Sequence, residues 1–242
     1  NLRELTYVDL SQNELTGEVD VLFAPALEHA DFSHNNFTSL DSFKQFKLSF
    51  HTLRTCDLSY NSIEQKASDI MKNIPPSIEQ YILSSNNIRG KMPTSLEDLP
   101  NLRHFSMDSN RLSGELPDFS SSFPNLQTLN LSNQKSRESI GFTGTIPASL
   151  SNLPFLRTLN LASNSLTGSI PPSLGNVAQL KKLDLSNNKL SGSIPEEMGK
   201  LAGKTSCDPR NLSFGFFIVA NSDPFFCGIP GTSEMLDLSN NK

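Results

Sequence analysis

The chain has 242 residues, and its 20 Lys and Arg against 25 Asp and Glu give a formal net charge of −5. An acidic balance of this kind argues against a nucleic-acid-binding surface, which is usually basic. The longest apolar run, FGFFIVA at residues 214–220, is too short to cross a bilayer, so we expect no membrane span within this chain.

A pattern of leucines followed by an asparagine recurs along nearly the whole chain. The spacing is roughly 24 residues, which is a period typical of solenoids rather than globular domains. The pattern is anchored at Asn13, Asn35, Asn61, Asn86, Asn110, Gln134, Asn164, Asn188 and Asn241. The sequence therefore predicts an α/β solenoid, a right-handed leucine-rich repeat coil with a parallel concave sheet and about nine repeats.

The letters of each repeat have a physical reading. Two leucines, such as Leu183 and Leu185, alternate along a short strand, so both side chains are expected to face the core. The anchor amide can donate to and accept from backbone groups where the chain leaves the strand, and we expect the anchors to stack as a ladder.

A second phrase follows the anchor in most units, for example LSGSIP at residues 190–195. Gly permits backbone angles that other residues resist, and Pro after an apolar residue suits the first position of a short helical turn. The phrase is more specific than the leucines alone.

Leucines, anchor and second phrase together resemble the plant-type leucine-rich repeat family of receptor-kinase ectodomains, receptor-like proteins and polygalacturonase-inhibiting proteins. The resemblance covers about residues 1–202, and five units carry the full Gly-x-apolar-Pro signature. The units anchored by Asn35 and Asn61 read FTSLDSF and IEQKASD, with neither Gly nor Pro in place. For these two units the sequence does not support the extra back-side strand that is typical of the family.

The repeat is interrupted twice. QKSRESIG at residues 134–141 is charged and rich in Ser, and it is either a tolerated surface insertion or a loop that contacts a ligand. The larger break divides the chain into a solenoid at 1–203, an irregular segment at 204–232 and the start of a further repeat at 233–242. VANSDPFFCGIPG in the irregular segment resembles the family's terminal cap, whereas the resumed MLDLSNNK resembles the chain after an island within a receptor ectodomain.

Three Asn-x-Ser/Thr sequons, at Asn36, Asn130 and Asn211, are candidate glycosylation sites and favour an extracellular or cell-surface location. Because Asn-Leu-Ser also arises from the repeat itself, Asn130 is the weakest of the three. The chain starts and stops inside repeats, so we expect any signal peptide, membrane anchor or kinase to lie outside it.

No residue cluster predicts chemistry. His29, Asp31 and His34 could in principle converge on a metal, but they occupy variable solvent-facing positions and no further ligand lies in the same register. Ser33 beside His34 lacks the pocket, orienting partner and oxyanion donors of a hydrolase. We therefore expect no catalytic residue, no metal and no cofactor, and we interpret the protein as a non-enzyme.

The exposed positions of the concave sheet are the predicted binding surface, because such a face is long, curved and rigid. Carboxylates one strand apart at Asp9, Asp31 and Asp57 favour a cationic partner, although Asp is also the ordinary filler of this position. Tyr and His on the face supply contact area at low entropic cost. The predicted ligand-binding residues are Tyr7, His29, Asp31, His34, Asp57, Tyr60, Ile82, Arg103, His104, Asp108 and Arg157.

The function predicted from these features is recognition of a peptide or protein ligand by an extracellular module, as part of a cell-surface receptor ectodomain. A glycan or a small molecule is a less favoured ligand, and a co-receptor is a further candidate partner that the resemblance implies. The alternatives are a secreted inhibitor of cell-wall hydrolases and an adhesive or scaffold protein. No nucleic-acid partner is expected.

The three cysteines have two predicted fates. Cys56 occupies a core leucine position, where it is expected to act as a small buried hydrophobe. Cys207 and Cys227 bracket the irregular segment, and we predict a disulfide between them that stabilises the fold by roughly 3 kcal/mol. Alkylation of the unreduced but denatured protein, followed by mass spectrometry, should label only one thiol, and labelling of all three would contradict the pairing.

Overall fold

A long parallel sheet forms one side of the molecule. The structure is a computed structural model that describes residues 2–19, 24–41, 51–94, 98–119, 123–134 and 139–201, with the backbone of 217–219 and 235–237. Its strands, in chain order, are β1 (Tyr7–Asp9), β2 (Thr16–Glu18), β3 (His29–Asp31), β4 (Asn36–Ser39), β5 (Thr55–Asp57), β6 (Gln80–Ile82), β7 (Arg89–Lys91), β8 (His104–Ser106), β9 (Arg111–Glu115), β10 (Thr128–Asn130), β11 (Phe142–Thr143), β12 (Thr158–Asn160), β13 (Thr167–Gly168), β14 (Lys182–Asp184), β15 (Lys189–Leu190), β16 (Phe217–Val219) and β17 (Met235–Asp237).

Ten of these strands make up the long sheet, in the order β1, β3, β5, β6, β8, β10, β12, β14, β17 and β16. Every neighbouring pair is parallel and in register, as in Leu129↔Leu159↔Leu183. Within β3 to β14 of this sheet the central residue of each strand is buried, while its two neighbours are at least partly exposed. The predicted parallel-sheet solenoid is therefore confirmed, and both Leu183 and Leu185 are fully buried, as expected from the strand alternation.

Helix contributes little to the coil. The described chain contains one short α-helix, α1 (Ala67–Met71), and 3-10 helices at Ala148–Asn152, Pro172–Asn176 and Glu196–Lys200. Each 3-10 helix is preceded by a proline at its N-cap, with φ of −65° at Pro147. The prolines thus lie one residue earlier than the predicted first helical position. Pro147 has an extended ψ of 129°, so it ends the extended segment before the helix and is not itself helical.

Short second strands pair on another flank of the coil, and the structure corrects one expectation there. β4 pairs with β2 although its unit, anchored by Asn35, has neither Gly nor Pro in the second phrase. The N–H of Leu40 donates to Gln65 Oε1 at 3.2 Å, so the next repeat supplies a side-chain acceptor at the end of β4. In the unit anchored by Asn61 the chain forms α1, and only an isolated bridge joins Lys66 to Arg89.

The interior is a continuous apolar core of leucine, isoleucine and phenylalanine. Phe105, Phe119 and Phe123 are almost fully buried, with ring centroids 6.4 Å apart for Phe105 and Phe123 and 6.2 Å for Phe119 and Phe123. Burying one such side chain contributes roughly 1.5–3 kcal/mol. Cys56 lies in this core at 1% exposure, and burial raises the pKa of its thiol, so it packs as the predicted small hydrophobe.

The anchor amides join each repeat to the one before it. Asn110 Nδ2 donates to the carbonyl of Leu83 in the preceding repeat at 2.9 Å and to Met107 in its own repeat at 3.0 Å. Its Oδ1 accepts from the backbone N–H of Ile88 at 2.9 Å. Asn35, Asn61, Asn86, Asn164 and Asn188 repeat this arrangement, so the predicted ladder is confirmed.

Gln134 shows that the ladder requires an amide rather than an asparagine. Its Nε2 donates to the Met107 carbonyl at 2.8 Å, and its Oε1 accepts from the N–H of Leu112 at 3.1 Å. The longer side chain therefore spans the same two repeats. The loop predicted after it lies partly outside the described residues.

The phrase LDLSNNK occurs at residues 183–189 and again at 236–242, and the second copy begins directly beside the first. β17 pairs with β14 so that Leu183 is opposite Leu236 and Asp184 is opposite Asp237, and β16 pairs on the far side of β17. β16 lies within 204–232, where the sequence shows no leucine ladder. Its residues, Phe, Ile and Val, are types with a high propensity for β-strands. The rest of this segment, including Cys207, Asn211 and Cys227, lies outside the described residues.

Replacing Asn110 with Ala should lower the free energy of unfolding by about 1–3 kcal/mol, because it leaves the buried Ile88 N–H without an acceptor. It also removes one of the two amide donors that the Leu83 and Met107 carbonyls each have. The measurement is urea unfolding followed by circular dichroism. Asn13→Ala is the matched control, since Asn13 is exposed and its side-chain amide donates to Leu10 and Ser11 in its own repeat. Equal losses in both variants would contradict a ladder that works between repeats.

Candidate functional site

The solvent side of the long sheet, which we call the open face, is built from two columns of side chains. The first residue of each strand forms one column, with Tyr7, His29 and Thr55 in successive register positions. The third residue forms the other, with Asp9, Asp31 and Asp57 likewise in register. Because the intervening residue of each strand is buried, the two columns alone project towards solvent.

The aspartate column has a structural role that the sequence did not reveal. One oxygen of Asp31 accepts from the N–H of Ser33 at 2.9 Å, and Asp57 accepts likewise from Ser59 at 2.8 Å. Asn160 performs the same task further along the column, accepting from the N–H of Ala162 at 3.0 Å. An oxygen at this position closes the turn at the strand's exit, and this explains why Asp and Asn fill it.

Asp9 makes the same contact at the start of the column. It accepts from both the hydroxyl and the N–H of Ser11. The hydroxyl hydrogen bond first, and then the backbone one, lower the pKa of Asp9 below its usual value.

In the repeat of Asp108 the positions of the aspartate and the serine are exchanged. Asp108 takes the position that Ser33 and Ser59 occupy in other repeats, and Ser106 stands in the aspartate column. Asp108 accepts from the hydroxyls of Ser106 at 2.7 Å and of Ser84, and from Asn130 Nδ2 at 2.9 Å. The predicted ligand-binding carboxylate thus joins three successive repeats through its own hydrogen bonds.

Two aromatic pairs stand near the N-terminal strands. The rings of Tyr7 and His29 are tilted at 47° with centroids 6.4 Å apart, and His29 Nδ1 lies 2.9 Å from Thr55 Oγ1. His34 and Tyr60, three residues after Asp31 and Asp57, stack with centroids 4.3 Å apart. Tyr7 on β1 and Tyr60 in the turn after β5 are 60% and 55% exposed.

The stacked pair depends on an uncommon backbone conformation. His34 and Tyr60 have φ of 54° and 53°, in the left-handed region that costs non-glycine residues about 1–3 kcal/mol. The same conformation recurs at the equivalent position of other repeats, including Ser85 and Asn187. The anchor amide that follows each of these residues holds the turn in place.

A column of charged residues runs along the flank before the strands. Arg54 lies 3.5 Å from Glu28 and 2.9 Å from Glu79, and Arg103 lies 3.7 Å from Glu79. These exposed pairs stabilise the fold little, roughly 0–1 kcal/mol each, but they balance the charge of the flank. Arg103, a predicted ligand contact, therefore has an acidic neighbour in its own chain.

The remaining predicted residues are spread along the face. His104 Nδ1 lies 3.1 Å from Thr128 Oγ1, and partial burial with the nearby Arg103 cation lowers the pKa of His104, which favours the neutral ring. Ile82 is partly exposed in the aspartate column. Arg157 is exposed on the flank, four strands from β5, so it does not meet the N-terminal cluster.

A recess of about 210 Å³ brings part of the predicted set together. Its walls include Tyr7, His29, Asp31 and Asp57, all predicted from the sequence. The recess also includes Thr55 and Gln80, which the sequence analysis missed. Both occupy the same column as Tyr7 and His29, so their register alone could have identified them.

The features that would indicate chemistry are not assembled in the described ranges. Among these residues no group of three or more His, Cys, Asp or Glu side chains could hold a metal ion. Ser33 is buried at 7% exposure, and its N–H is engaged by Asp31. None of the helices in the described part of the chain is long and apolar enough to cross a membrane.

The two described sequons differ in their surroundings. Asn36 and Thr38 are exposed on β4. Asn130 donates its amide to Asp108 within the open face, and its neighbours Leu131 and Ser132 are buried. A glycan replaces one hydrogen of the asparagine amide, so at Asn130 it would disturb the bond to Asp108.

Comparison with known proteins places the fold in a family. The family model for "Leucine Rich repeats (2 copies)" matches residues 145–197, and that for "Leucine Rich Repeat" matches residues 101–123. Receptor-like protein 47 from Arabidopsis thaliana is 29% identical over 106 residues, which cover 43% of this chain and 13% of that protein.

Solved receptor structures are similar over a larger part of the chain. The Arabidopsis receptor kinase HAESA, in complex with the peptide hormone IDA and the co-receptor SERK1, gives a TM-score of 0.68 at 27% identity over 84% of this chain and 33% of that one. The plant peptide hormone receptor RGFR1, in complex with RGF2, gives 0.63 at 26% identity over 100% of this chain and 37% of that one. This chain spans less than half the length of each of these proteins.

We expect a glycan on Asn36 and none on Asn130 when the protein is secreted from plant or insect cells. The reason is that Asn36 is exposed, whereas the Asn130 amide is held by Asp108. Peptide mapping by mass spectrometry, with Asn36→Gln as the control that removes the expected signal, measures the occupancy of both. Full occupancy at Asn130 would contradict this assignment.

Proposed function

This chain is a leucine-rich repeat protein of the plant type, and on that premise we propose that it is the ligand-binding part of a cell-surface receptor ectodomain. Its ligand is an extended peptide, or a peptide segment of a protein, that lies along the open face from Tyr7 towards Arg157. The protein acts by binding rather than by catalysis, and its compartment is extracellular.

The observation that carries this proposal is the exposure of Tyr7 on the open face and of Tyr60 at its edge, where the amide ladder fixes the backbone. Exposed aromatic side chains on a rigid support offer contact area without a large loss of entropy on binding. Successive strands are about 4.8 Å apart, so the columns present side chains at regular intervals to an extended chain. The similar receptors that are solved with peptide hormones support the same interpretation.

A second protein completes the proposed assembly. One of the similar structures contains a co-receptor, and a chain that displays its ligand on an open face leaves the outer side of that ligand available to a second protein. The segment 204–232, closed by a Cys207–Cys227 disulfide, belongs to this proposal as a cap or an island.

A peptide selected from a display library against the intact chain should lose at least about fivefold in affinity on Tyr60→Ala and on His104→Ala, because each removes ring contacts from the face. Isothermal titration calorimetry gives the dissociation constants. Lys189→Ala, which alters an exposed side chain of β15 outside the long sheet, is the control and should bind as the unchanged protein does. Unchanged affinity in both face variants, or selection of no binding peptide, would refute the proposal.

A further inference from the structure

The recess on the open face has the dimensions of a side-chain pocket. Its volume of about 210 Å³ is below the roughly 300–1,000 Å³ of ordinary small-molecule pockets, so it suits one side chain of a larger ligand. Tyr7 and His29 form one wall, and Asp31 and Asp57 stand at adjacent register positions in another. The pocket therefore combines aromatic surface with two carboxylates.

The carboxylates exceed what the fold requires. Each uses one oxygen to accept the turn N–H, and Asn160 accepts the same bond without a charge. Carboxylates on adjacent strands repel each other, so an asparagine at either position would fold with less electrostatic cost. Each carboxylate thus keeps a charge and a second oxygen that the turn does not use.

None of the cationic side chains that the structure describes forms an ion pair with Asp31 or Asp57. Arg54, the closest in sequence, is engaged on the flank by Glu28 and Glu79. Within the described ranges none of the ion pairs includes Asp31 or Asp57, and only the turn N–H groups donate to them. A cation brought by the ligand would supply the missing charge.

We propose that this recess binds an arginine side chain of the peptide ligand, an assignment that rests on the peptide-binding function proposed for the open face. The guanidinium stacks on the rings of Tyr7 and His29 and donates to the carboxylate oxygens that the turns leave unused. A planar guanidinium carries several donors in one plane and also stacks on aromatic faces, whereas an ammonium offers a single strongly hydrated charge. Two carboxylates about one strand spacing apart, beside an aromatic wall, match the guanidinium better.

The test uses N-acetyl-arginine methylamide as the ligand and two-dimensional NMR of the labelled, intact chain as the readout. We expect saturable shifts of the Tyr7, His29 and Thr55 signals that weaken as salt is added. The citrulline methylamide, which has nearly the same shape without charge, should bind at least about tenfold more weakly, and the lysine methylamide several-fold more weakly. Equal binding of the citrulline compound, or of the lysine compound, would overturn the assignment.

Asp31→Asn with Asp57→Asn should weaken arginine binding about tenfold or more, because it keeps the turn acceptors and removes the charge. Asp184→Asn is the matched control, since Asp184 accepts the same turn bond from Ser186 in a strand remote from the recess. Tyr7→Ala, at the exposed start of the sheet, tests the aromatic wall in a second fold-preserving way. Unchanged binding in both the double variant and Tyr7→Ala would refute the pocket.

The outcome is separable from that of the proposed function. Arginine binding in the recess together with failure to select any peptide would support the pocket and refute the receptor role. Peptides that bind along the face, but whose arginine can be replaced by citrulline without loss, would refute the pocket alone.

Discussion

The hydrogen bonding of the anchor amides is the interaction on which the rest of the molecule depends. From Asn35 to Asn188, each anchor amide joins two repeats by accepting from one backbone N–H and donating to carbonyls on both sides of the junction. Asn164, for example, accepts from Phe142 and donates to Leu131 and Leu161. Among the described residues no buried side-chain nitrogen or oxygen is left without a partner. Apolar burial supplies the larger free energy, but it is not directional, so the amides set the register of the coil.

This register also determines how side chains are arranged on the open face. Because neighbouring strands are aligned residue by residue, a side chain at one strand position repeats beside its equivalent, and columns of like chemistry arise. A column can then do two things at once: the third residue closes the turn with one oxygen, and the rest of its side chain faces solvent. Asp31 and Asp57 have a carboxylate at a position where an amide oxygen would also accept the turn N–H. Asp108 instead uses its carboxylate oxygens to accept hydrogen bonds from side chains of its own protein.

The sequence predicted the repeated part of the structure well, because the repeat states each local rule many times. The anchors, the buried leucine pairs and the buried Cys56 all follow from a pattern that one strand and one turn explain. What it missed depends on neighbouring repeats. β4 forms without its signature residues beside a repeat that supplies Gln65 as an acceptor, and Asp108 takes donors from three repeats. Thr55 and Gln80 became part of a recess only when four strands were placed side by side.

The left-handed turn before each anchor has a consequence for how such a surface can change. Gln12, His34, Tyr60, Ser85, Ser109, Asn133, Ser163 and Asn187 share φ values between 53° and 56°, although their side chains differ in size and polarity. Since all of them already bear the same backbone strain, exchanging one type for another at these positions alters the display at the rim without a new conformational demand. The side chain at this turn position can therefore be exchanged while the backbone conformation stays the same, and changes in what the coil recognises can accumulate there.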